Sequence, residues 1–154
     1  MPSRLYRKIF LVILLLLLSS PLSGAEGPSR SKLVAVYLFR LAENIQWANE
    51  ANIQTYRIHL IDEERGIYDS LKGISRIKKL HDKSFKVTRS SKVEVPKEAH
   101  LIFISRNKVG DYQDVFKQVE GRNILLISEN MDNKQTIMIN LFETEKKEVI
   151  FEIN

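Results

Sequence analysis

Polar side chains that could do chemistry gather where three short apolar runs end: Asp62 and Glu63 after YRIHLI, Ser105 and Arg106 closing HLIFIS, and Ser128 to Asn130 closing NILLIS. In an open α/β sheet a ligand sits beyond the carboxyl ends of parallel strands, so these groups could together line a polar crevice. The same residue types also serve turns and helix N-caps, and Asp62, Ser105 and Ser128 each precede a loop or helix. None of the three loops is glycine-rich, so a nucleotide phosphate finds no cradle of free backbone N–H groups. With no cysteine and no Gly-x-Ser-x-Gly elbow, nucleophilic catalysis has no recognisable signature, and the chain reads as non-enzymatic and free of cofactors. His59, His81 and His100 are the only histidines. Their spacing matches no ligand motif, so no metal is expected and a hydrogen-bonded structural role is. Trp47 is the single tryptophan, a binding anchor on one reading and a core residue on the other. The basic run Arg76 to Lys79 reads as solvated surface.

The elements that must position these groups follow from periodicity. Leu33 to Trp47 carries apolar residues at helical spacing, with an apolar face wide enough to meet a sheet on one side and a further contact, such as a partner, on the other. Tyr56 to Ile61 is strand-like, and the cluster Asp62 to Gly66 leads into a short helix with Ile67, Tyr68, Leu71 and Ile74. Lys83 to Arg89 alternates as a strand near an edge. His100 to Ser105 and Asn123 to Ser128 are unbroken apolar runs, the pattern of buried parallel strands. Asn107 to Val119 supplies a crossover helix between them, stopped by Gly121. Thr136 to Phe142 and Val149 to Ile153 flank a charged turn and read as an antiparallel hairpin. The expectation is a single α/β domain whose mixed, mostly parallel sheet has flanking helices and a C-terminal hairpin.

Residues 1–25 set the compartment. Arg4, Arg7 and Lys8, the apolar run Ile9 to Leu18, and Ser23-Gly24-Ala25 after Pro21 have the form of a signal peptide cleaved after Ala25. Ten apolar residues fall well short of the roughly 20 that cross a bilayer as a helix. Without cysteine there is no acylated lipoprotein terminus, so release into the periplasm is expected. Residues 26–32 read as a flexible lead and 33–154 as the folded domain. Three of the 24 basic residues lie in the leader, leaving 21 against 19 acidic ones, a balance of +2 that gives no reason to invoke nucleic acid.

Three segments carry a resemblance: VAVYLFRLAENIQWAN (Val34 to Asn49), HLIFISRNK (His100 to Lys108) and LLISENMDNKQTIMINLFETEKKEVIFEIN (Leu125 to Asn154). In their order, with Trp47, Ser105, Ser128 and the closing FEIN as the less generic positions, the chain resembles the YfiR family of periplasmic regulators. The resemblance implies an α/β domain that binds and restrains the periplasmic part of an inner-membrane diguanylate cyclase, lowering cyclic-di-GMP and biofilm formation. Related domains form the sensory front of membrane histidine kinases, so a small-molecule-sensing role is the alternative. A second copy of the chain is a further candidate partner. Two features depart from the family: Asn130 to Gln135 replace a glycine-containing turn, and a final helix usually follows FEIN, without which part of the sheet is expected to lie uncovered.

Overall fold

Strands that are apolar on every residue must be covered on both faces, and the fold is arranged around that requirement. The computed structural model describes residues 29–131, 138–146 and 148–153. Residues 1–28, 132–137, 147 and 154, with the expected signal peptide, most of the expected lead and the expected start of the Thr136 to Phe142 strand, lie outside the described residues. Strands β1 (Thr55–Ile61), β2 (Ser84–Ser90), β3 (Leu101–Ile104), β4 (Leu125–Glu129), β5 (Ile139–Glu143) and β6 (Val149–Ile153) form one sheet in the order β2-β1-β3-β4-β5-β6. The pairings are parallel except for the β5–β6 hairpin.

Helices α1 (Arg30–Asn44) and α2 (Gly66–Ser75) cover one face. Val34, Leu38, Phe39 and Ala42 of α1 and Ile67 and Leu71 of α2 pack there with Tyr56, Ile58 and Leu60 of β1, Phe103 of β3 and Ile127 of β4. Helix α3 (Tyr112–Val119) lays Tyr112, Val115 and Val119 on the opposite face, against Ile102, Ile104 and Leu126. The two helices of the first face touch closely: a Cβ at Gly66 would come within 2.5 Å of Ser31 Oγ.

Three local expectations need correcting. The first helix begins at Arg30, inside the stretch assigned to the lead, because the Ser29 carbonyl accepts the N–H groups of Lys32 and Leu33. It also ends at Asn44, three residues before Trp47. Ile45 turns extended, and the Trp47 indole N–H reaches back 3.1 Å to the Ala42 carbonyl, satisfying one of the acceptors a helix end leaves open. The crossover helix splits into a 3₁₀ segment, Arg106–Asp111, before α3. The apolar period there is real, but the buried residues of α3 start only at Tyr112.

Candidate functional site

Beyond the carboxyl ends of the strands the polar groups bond to one another. Asp62, 1% exposed, accepts the Glu64 N–H at 3.1 Å and the Asn107 amide at 3.2 Å through Oδ1. Its Oδ2 has no partner among the described residues. The same Asn107 accepts from the Ser105 hydroxyl and, at 3.5 Å, from the Glu63 N–H. Lys108 lies 3.1 Å from Glu63 and 3.5 Å from Asp111, and the hydrogen bond to Glu63 is the main reason its pKa is raised. Asn107 therefore ties the β1 end to the β3 end, and it is a residue that sequence reasoning passed over.

The β3 and β4 ends are joined by a second such residue, Glu129, only 2% exposed. Arg30 of α1 grips it with both Nε, at 2.9 Å, and Nη2, while the Arg106 backbone N–H donates to Oε2 at 3.1 Å. Ser128 donates to Asn140 Oδ1 at 3.3 Å, and that amide exchanges two hydrogen bonds with the Met131 backbone. Asn130 adopts a left-handed φ of 52° and donates its N–H to Leu141. The structure thus brings Asp62, Glu63 and Ser105 into one network, and Arg106, Ser128 and Asn130 into its continuation. Asp62, Ser105, Ser128, Glu129 and Asn140 are the buried members, and apart from Asp62 Oδ2 they are bonded as groups that hold a fold together are. Their signal in the sequence was faint: a glutamate directly after LLIS, and an asparagine inside MINLF.

Trp47 belongs elsewhere, at the amino ends of the strands. It is 8% exposed, with ring centroids 5.5 Å from Tyr56 and 6.1 Å from His100. The Tyr56 hydroxyl donates to Glu50 at 2.9 Å, and burial together with that carboxylate pushes its pKa up to about 12. His81 Nδ1 stands 2.7 Å from the same Glu50. Among the described residues no group of three His, Asp or Glu side chains is placed to hold a metal ion.

An open apolar surface lies between α1 and the hairpin. The register of β6 on β5 turns Val149, Phe151 and Ile153 to the side of α1, yet only Val149 is buried; Phe151 is 47% and Ile153 65% exposed. Val36, 47% exposed, with Tyr37, Leu41 and Ile45, faces them across a groove of about 830 Å3. The Tyr37 and Phe151 rings lie 6.5 Å apart. Leu125, Met138 and Ile139 complete the apolar lining, and Arg40, paired with Glu43 at 2.7 Å, is its charged residue.

A family model described as YfiR/HmsC-like matches residues 31–154. Comparison with curated proteins finds no match.

Proposed function

The chain belongs to the YfiR/HmsC-like family, and from that premise we propose that it is a periplasmic, non-catalytic regulator that binds and restrains an inner-membrane diguanylate cyclase. The observation that carries this reading is the apolar groove between α1 and β6, the kind of surface that polar-rimmed docking sites leave exposed. Its occupant is an apolar segment of the periplasmic part of the enzyme, laid against Val36, Tyr37, Phe151 and Ile153. Restraint requires that this segment be presented better in the inactive state of the cyclase than in the active one, since only differential affinity shifts an equilibrium. The basic start and apolar run of residues 1–25 support export. A ligand sensor working through the strand ends has less support, because the buried polar groups there, Asp62 Oδ2 excepted, are engaged with each other.

The test is genetic and then biochemical. Deleting the protein should raise cyclic-di-GMP and surface attachment, and supplying it again should reverse both. Phe151→Lys, which puts a charge into the groove, should accumulate normally but fail to restore either, with affinity for the partner down by about thirtyfold. Unchanged cyclic-di-GMP after deletion would reject a cyclase partner in favour of a sensor kinase. A dimer that Phe151→Lys dissociates would assign the groove to a second copy.

A further inference from the structure

The face of β1 and β2 turned away from α1 and α2 differs from the same face of β3 and β4. Where β3 and β4 present Ile102, Ile104 and Leu126 to α3, β1 and β2 present Arg57 beside Lys86 and His59 beside Thr88. Like charges directly opposite one another on neighbouring strands are destabilising, so this pair needs compensation. Segment 94–99 borders the face and closes a recess of about 500 Å3. Four cations line it, Arg57, Lys86, Arg89 and Lys97, against the two carboxylates Glu94 and Glu98.

Internal pairing leaves a surplus. Glu98 sits 2.9 Å from Arg57. Arg89 spends its Nη1 on the carbonyls of Asp62 and Glu63, at 2.7 and 3.2 Å, which takes up hydrogens without cancelling charge. Among the described residues neither the Lys86 nor the Lys97 ammonium has an ion-pair partner. A lysine on an edge strand is an ordinary guard against strand addition. Arg57 lies on an inner strand and Lys97 on a loop, so that explanation reaches Lys86 and Arg89 only.

The floor of the recess is hydrogen-bonded to its surroundings. Ser90 gives its hydroxyl hydrogen to the Lys92 carbonyl at 2.8 Å, so it accepts from His59 Nε2 at 3.0 Å. A neutral ring then accepts at Nδ1 from the Thr88 hydroxyl, 2.8 Å away. His59 is 4% exposed, and Thr88 is held with its hydrogen turned inward.

We infer that this recess binds a small molecule carrying two negative charges on oxygen atoms, gripped by Lys86, Lys97 and Arg57. The surplus of two cations sets the charge, and the volume is within the roughly 300 to 1,000 Å3 typical of small-ligand sites. Charge-assisted hydrogen bonds to lysine and arginine supply the affinity.

Calorimetric titration of the purified full-length protein at low ionic strength tests this, with succinate and inorganic phosphate as separate probes. Saturable one-to-one binding of either is expected, and which one binds distinguishes a dicarboxylate from a phosphate ligand. Lys86→Gln should weaken it by about tenfold or more, as loss of a charge-assisted contact does, and Lys117→Gln, on the exposed side of α3, should not. Both variants should melt like the wild type, and Lys97→Gln serves as a second probe of the recess. The proposal is overturned if neither probe gives saturable binding, or if the Lys86 and Lys117 variants weaken it equally. It is likewise overturned if the protein sediments with anionic phospholipid vesicles in a Lys86-dependent way while both soluble probes fail.

Discussion

The strand ends and the α1–β6 groove lie on one sheet and contrast in how their surface is used. At the strand ends, Asp62, Ser105, Glu129 and Asn140 are buried and hydrogen-bonded to neighbours or backbone, with the exposed Asn107 bridging Asp62 and Ser105. A ligand entering there would have to break bonds already made, and a buried polar group left unpaired costs about 1 to 3 kcal/mol. In the groove, Val36, Phe151 and Ile153 still face solvent, and covering apolar surface returns about 25 cal/mol per Å2. Polar residues in the positions where a ligand is expected can therefore be structural, while apolar residues on an outer strand hold the unspent binding energy.

The sharpest way to break that contrast is at Glu129. Arg30→Met leaves a carboxylate buried with its guanidinium partner removed, and breaking such a pair costs about 3 to 5 kcal/mol. Urea denaturation should show a loss of that order. Adding Glu129→Met should recover much of it, because removing both charges also removes their desolvation cost. If the single variant is as stable as the wild type, the strand-end network is not what holds α1 to β4.

The groove should respond in the opposite sense. Val36→Ser and Ile153→Ser alter exposed side chains, and surface changes of this kind stay within about 0.5 kcal/mol. Stability should hold while binding to the partner falls. A loss of several kcal/mol in the free protein would mean that the groove is closed in solution and already part of the core.

Much of the architecture was legible because its signals are strong. LIFI and LLIS, apolar at nearly every position, could only be buried parallel strands, and β3 and β4 pair accordingly. The hairpin and the edge position of β2 followed from turn residues and alternation. The YfiR resemblance, carried by motifs such as HLIFIS and FEIN, agrees with the family match over residues 31–154. The hydrogen-bond partners were not legible. Nothing at Arg30 announces a contact 99 positions away, and Asn107 reads as one more loop asparagine. Trp47 could be placed only by knowing that the helix stops at Asn44, a tertiary effect: the indole packs on Tyr56 and returns its N–H to the helix.

The finest distinction between bonded polar regions and the groove is in pH. Burial lowers the pKa of His59, with Glu94 partly opposing, and burial followed by the nearby Arg57 charge lowers that of His100. Both are neutral in the folded protein at a pH where the unfolded chain, titrating near the ordinary 6.5, already takes up protons. Below about pH 6.5 the unfolded state thus binds more protons than the folded one, so stability falls with acidification until the depressed folded values are reached, and is flat above. Thermal melts between pH 7.5 and 5 should show this decline, and His59→Gln with His100→Gln should flatten it. The groove lining contains neither a histidine nor a carboxylate, so Val36→Ser must keep the wild-type slope. An unchanged slope in the double histidine variant would mean that these two rings are solvated enough to titrate alike folded and unfolded, and that acid sensitivity comes from the carboxylates instead.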